Sequence, residues 1–143
     1  MILPYTDLQV TSNFSFLRGA SHPEELVQEA AALGHTCIAI TDHNTLAGIV
    51  RAHVEAKKTG IRLIIGCHLV LQDGPDLLAY PTDKEAYARL STMLSEGNLR
   101  TEKGQCLLHK KDVYKHSRGL KFIAIPPYQL NEHFDFDTIL KMI

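Results

Sequence analysis

The chain has 143 residues, 45% of them hydrophobic and 22% charged, and its 15 Lys+Arg against 16 Asp+Glu give a formal net charge of -1. That length supports one domain with its own core, and the composition excludes a disulfide scaffold, a collagen-like fibre and a disordered chain. The apolar runs are too short to span a bilayer, the N-terminus does not read as a signal peptide, and no global basic field draws nucleic acid, so a cytoplasmic protein with no membrane partner is expected.

In chain order, residues 5–11 read as a first strand. Ser21 and Glu24 form an S-x-x-E capping box with Pro23 in the first turn, opening a helix whose stripe is Leu26, Val27, Ala30 and Leu33 and whose C-terminal stop is Gly34. Residues 36–41 are nearly all apolar, as in a strand covered on both faces. Asp42-His43-Asn44-Thr45 follows as a loop, with Asn44 the expected N-cap of a helix that places Leu46, Ile49, Val50, His53 and Ala56 on one face and ends at Gly60. Residues 61–71 form the next strand and 76–80 a short fourth one. Thr82 and Glu85 make a second capping box, with Tyr87, Leu90 and Leu94 inward and Gly97 as the stop. A polar loop at 98–105, a helix at 110–117, a strand at 120–125 and a last helix at 137–143 complete the pattern.

Strands alternating with helices predict an α/β fold with largely parallel strands and flanking helices, whose site lies beyond the carboxyl ends of the strands. Three cysteines, Cys37, Cys67 and Cys106, stand apart with no C-x-x-C pair, which excludes a zinc finger and suits free thiols, buried at Cys37 and Cys67, in a reducing compartment. Of eight histidines, His22 is expected to be structural, His53 packed in its helix stripe, and His35, His109, His116 and His133 exposed near turns or ends. Phe14 and Phe16 read as loop packing. Lys110, Lys111, Lys115, Arg118 and Lys121 form a basic stretch read as a solvated face, for want of interleaved aromatics.

Three segments carry a family resemblance. Residues 7–27, D-L-Q-V-T-S-N-F-S-F-L-R-G-A-S-H-P-E-E-L-V, resemble the first motif of the polymerase-and-histidinol-phosphatase (PHP) domain. Residues 39–48, A-I-T-D-H-N-T-L-A-G, resemble the second, and Gly66-Cys67-His68 sits where a G-x-E segment is expected. Within that superfamily the first segment is most similar to the N-terminus of bacterial error-prone C-family DNA polymerases, paralogues of the polymerase III alpha subunit. The resemblance implies a partial, distorted βα barrel, with 1–127 as the N-terminal part of a PHP domain and 128–143 as a divergent tail. The family domain is about twice as long as this chain, so a truncated gene, a frameshift and a cut fragment all stay open.

Active members of the family hold a metal cluster and hydrolyse phosphoesters. Carried over by position, the H-x-H of the first motif is Gln9 and Thr11 here, the acid of L-D-G is Arg18, T-D-H is kept as Thr41-Asp42-His43, and the glutamate of G-x-E is His68. Gln and Thr are weak neutral ligands and Arg18 adds a positive charge, so the implied metal centre is degenerate. No catalytic residue is expected. His43 and His68 are the remaining ligand candidates, for no cofactor or for one residual Zn or Mn. His68 is otherwise a core histidine, and Asp42-His43 stays open between a metal or phosphate role and a helix cap. The function implied is a non-catalytic module of a polymerase engaged in DNA replication and damage-induced mutagenesis, partnered by the rest of that chain and touching DNA only indirectly. The alternative is a small metal-dependent phosphoesterase acting on phosphate esters or DNA ends. Open barrel edges also suggest a homodimer.

Overall fold

The computed structural model describes residues 5–128, so the expected helix at 137–143 and His133 lie outside the described residues. The chain divides into two compact units between Cys67 and His68.

The first unit contains α1 (Pro23–Ala32), β1 (Cys37–His43) and α2 (Ile49–Thr59), and β2 (Arg62–Leu69) carries the chain across the division. β1 and β2 are neighbouring strands. Val27 and Ala30 of α1 and Ile49, Ala52 and Ala56 of α2 close over Ile38 and Ile40 of β1, with Ile61 at the edge of the same cluster. β1 is buried from Ile38 through Asp42, as its apolar run requires of a strand covered on both faces. The expected first strand is reduced to an extended segment. Asp7 makes an isolated parallel bridge with Ile38, and the N–H groups of Ala39 and Thr41 donate to the carbonyls of Asp7 and Val10 at 2.9 and 2.8 Å.

α2 starts later than its apolar spacing suggests. Asn44 takes a left-handed φ of 52° and turns the chain rather than capping the helix, a conformation its short polar side chain tolerates. The helix then begins at Ile49, and its buried stripe is Ile49, Ala52, Glu55 and Ala56. Val50 and His53, expected inside, are exposed. Glu55 is held by Gln28 of α1, whose Nε2 donates at 3.0 Å, and by Lys58 at 2.9 Å.

The second unit contains β3 (Asp76–Pro81), α3 (Lys84–Leu99), α4 (Lys110–His116) and β4 (Leu120–Ile125). β3 and β4 pair antiparallel, from Asp76 opposite Ile125 to Pro81 opposite Leu120, which corrects the largely parallel expectation for this half. α3 buries Ala86, Leu90, Met93, Leu94 and Gly97 and runs on to Leu99. Gly97 is therefore no helix stop. A Cβ there would lie 2.7 Å from both Cys106 Sγ and Leu108 Cδ2, so glycine permits a close approach.

Both helices, α1 and α3, start one residue later than the S/T-x-x-E pattern placed them, and of the two only α1 closes a reciprocal capping box. Pro23 takes the first helical position, so His22 is the N-cap, and its N–H donates to the Glu25 carboxylate at 2.8 Å. Asp83, a better cap than Thr82, accepts from the Ala86 N–H at 2.7 Å. Cys67 is buried, Cys37 is only half-buried, and all three thiols are free. Among the described residues no helix is long and apolar enough to cross a membrane.

Candidate functional site

Asp42 is the most constrained polar group of the first unit. It and His43 are the last two residues of β1 rather than part of a loop. Asp42 is 2% exposed. Its Oδ1 accepts from the Ser12 N–H at 2.8 Å and from the Ser15 hydroxyl at 2.6 Å, and its Oδ2 accepts from the Ser12 hydroxyl at 2.7 Å. The proton directions follow from the other partners. Ser12 Oγ accepts from the Phe14 N–H at 3.2 Å, and Ser15 Oγ accepts from the His43 N–H at 2.9 Å. Each hydroxyl has one proton, so each sends it to Asp42. Three of the roughly four acceptor positions of the carboxylate are thus filled from one loop.

That loop is folded on itself. The Ser15 N–H donates to the Ser12 carbonyl, and the Arg18 and Gly19 N–H groups donate to the Ser15 carbonyl, at 3.0 to 3.1 Å. Gly48 lies under Asp42, where a Cβ would meet Pro23 Cγ at 2.9 Å and Asp42 Oδ2 at 3.2 Å. Phe14 is stacked beneath the Arg51 guanidinium, 5.7 Å from its ring centroid. Phe16, by contrast, is 84% exposed and does not pack. His22 is held by the Asn13 amide against its Nδ1 at 2.9 Å, in keeping with a structural role.

The residues singled out by position divide as follows. Gln9 is exposed, Thr11 is half-buried, and Arg18 is exposed. Asp42 and the backbone of His43 are joined through Ser15. His68 opens the second unit, buried, with its Nε2 2.8 Å from Asp76 Oδ2. Ser12, Ser15 and Asp76 were missed by motif reading. The S-N-F-S spacing, two hydroxyls three residues apart after a strand, is the signal that could have found the first two.

Asp42 spends three of its roughly four acceptor positions on neutral donors of the chain. Among the described residues no group of three or more His, Cys, Asp or Glu is placed to hold a metal ion. A full metal cluster therefore does not fit the described residues.

The second unit has its own polar cluster. Arg100 grips Asp112 bidentately, Nη1 to Oδ2 at 2.6 Å and Nη2 to Oδ1 at 2.8 Å, and the His109 N–H adds a third bond at 2.9 Å. The guanidinium holds the Asp112 carboxyl down at about 2. Glu96 accepts from Lys115 Nζ at 2.7 Å and lies 3.3 Å from His116 Nε2, and these two partners lower its pKa. His116 is buried by this contact, contrary to its expected exposure.

The motif order and the α/β architecture define the class: a PHP-domain profile matches residues 7–137, and the chain belongs to the PHP-domain family. Its sequence is similar to those of error-prone DNA polymerases. It is 52% identical over 132 residues to the error-prone DNA polymerase of Caulobacter vibrioides, covering 92% of this chain and 12% of that one. It is 49% identical over 124 residues to error-prone DNA polymerase 2 of Agrobacterium fabrum, covering 87% of this chain and 11% of that one. The chain thus spans about an eighth of the length of the curated relatives it matches. Among solved structures it resembles a Bifidobacterium adolescentis protein assigned as a metal-dependent phosphoesterase. That likeness has a TM-score of 0.56 and 28% identity, over 66% of this chain and 33% of the other.

Proposed function

We propose that this chain is a non-catalytic structural module, the N-terminal PHP portion of an error-prone DNA polymerase working in the cytoplasm, with a degenerate metal site. The single observation that carries this reading is the use of Asp42. The acid kept from the family's T-D-H motif accepts from Ser12 and Ser15 and fixes residues 12–19 to the end of β1. Gln9, Thr11 and Arg18 stand where the family's ligands would be, and none supplies an anionic or imidazole donor. In this reading the strands are part of an incomplete barrel, and templated synthesis during damage-induced mutagenesis belongs to the longer chain.

The second reading is a metal-dependent phosphoesterase, favoured by the likeness to the Bifidobacterium protein, with His43 and His68 as ligands of one Zn or Mn. One experiment separates them. The purified, chelator-treated chain is titrated with Zn and Mn and assayed on a phosphodiester. The module binds no stoichiometric metal and hydrolyses nothing. Metal-dependent hydrolysis that disappears in His43→Ala overturns it.

A further inference from the structure

The basic stretch of the second unit is more organised than a solvated face. Residues 110–121 hold five Lys and Arg against one acid, in a chain whose net charge is -1. α4 buries Asp112, Val113 and His116. Its opposite face presents Lys111, Tyr114 and Lys115, and Ser117 keeps helical dihedrals so that Arg118 continues the same i, i+3, i+4 row. Tyr114 is 49% exposed in the middle of that row, which supplies the interleaved aromatic that the sequence reading held to be missing.

The charges of residues 110–121 are mostly unspent. Lys115 is paired with Glu96 at 2.7 Å, and Asp112 is taken by Arg100. Lys111, Arg118 and the exposed Lys121 at the start of β4 carry no ion pair among the described residues. Arg89 of α3 donates its Nε–H to the Arg118 carbonyl at 2.7 Å, bringing a second guanidinium to the same turn. Asp83, beside that turn, caps α3. Cations flanking an exposed aromatic ring match a polymer that alternates phosphates with flat bases.

We infer that the α4 face, Lys111, Tyr114 and Arg118 with Lys121, binds single-stranded DNA, the cations on its phosphates and Tyr114 under a base. The choice of DNA as the polyanion rests on the proposed polymerase module. The test reads binding in chelator, where hydrolysis by a metal-dependent enzyme is suppressed, so either proposal can fail while the other stands.

The experiment is fluorescence anisotropy of a labelled oligothymidylate titrated with the full chain. Three unpaired cations predict a slope of log affinity against log salt of about -2, a loss of roughly 20-fold between about 50 and 200 mM salt. The double variant Lys111→Gln/Arg118→Gln reduces that slope to about -0.7. Tyr114→Ala weakens binding about tenfold with the slope unchanged, because stacking releases no counterions. The charge-matched control Lys57→Gln/Arg62→Gln, on exposed residues of α2 and β2, leaves affinity unchanged, and far-UV circular dichroism verifies that each variant is folded. No binding at low salt overturns the inference. So does equal loss in the control, or binding to phosphatidylserine vesicles in place of the oligonucleotide.

Discussion

Asp42 and Asp112 are both buried, at 2% and 3% exposure, and each accepts three hydrogen bonds, yet they hold the chain by different means. Asp42 collects neutral donors, one backbone N–H and two hydroxyls, from a loop 27 to 30 residues away. Asp112 collects a guanidinium from 12 residues away and a backbone N–H at the start of its own helix. The first arrangement fixes a loop through partners that have nothing else to bond if the acid is lost. The second is an ion pair whose worth depends on charge. Mutation should therefore find the weak point of the first unit, and acid that of the second.

The largest effect is expected at Asp42. Asp42→Ala leaves three buried donors without an acceptor and costs about 3 to 5 kcal/mol in urea unfolding. Asp42→Asn keeps the shape and part of the acceptor capacity and costs about half as much. A loss under about 1 kcal/mol for the alanine variant would show that residues 12–19 hold themselves without it. The next effect is acid sensitivity at Asp112. Its carboxyl titrates at about 2 in the folded chain against a usual value of 3.8. A depressed folded value means the unfolded chain takes up the proton first. The stabilisation is complete above about pH 5 and is lost as the pH falls towards 2, about 2 kcal/mol in all. Asp112→Asn removes that part of the acid dependence and costs about the same at neutral pH.

Gly97→Ala comes third. A helix interior gains about 1 kcal/mol from Ala over Gly. The new methyl would meet Cys106 Sγ and Leu108 Cδ2 at 2.7 Å, and overpacking of that kind costs about 1 to 3 kcal/mol. The clash wins, and the midpoint in urea drops. A rise in midpoint would mean that the segment around Cys106 and Leu108 yields to the added methyl.

Much of this was legible in the sequence, for reasons that differ by element. Apolar runs gave β1, β3 and β4 to within a residue or two. β1 is buried on both faces, which leaves no other composition possible, whereas β4 stays legible through its apolar run although Lys121 and Ile123 are exposed. The family motif led to Asp42. The use of Asp42 was not legible, because a serine hydroxyl looks the same in sequence whether it caps a turn or donates to a carboxylate 27 residues on. The α2 stripe failed at Val50 and His53 because the buried face is centred on Ile49, Ala52, Glu55 and Ala56. A charged residue, Glu55, is held inside it by Gln28 and Lys58, which hydrophobic spacing does not anticipate. His68–Asp76 and His116–Glu96 are contacts between elements, which local pattern does not encode.

The smallest effect tests the loop that Asp42 holds. Leu17 has a left-handed φ of 61° and is 89% exposed, so it gains little from packing and carries a Cβ clash with its own backbone worth about 1 to 2 kcal/mol. Glycine removes the clash but adds about 0.5 to 1 kcal/mol of unfolded-chain entropy. Leu17→Gly should therefore stabilise by about 0.5 kcal/mol, seen as a raised urea midpoint. The gain should vanish in an Asp42→Asn background, where a loosened loop lets Leu17 relax by itself. An equal gain in both backgrounds would separate the strain at Leu17 from the carboxylate, and the contrast between the two aspartates would then rest on unfolding free energies alone.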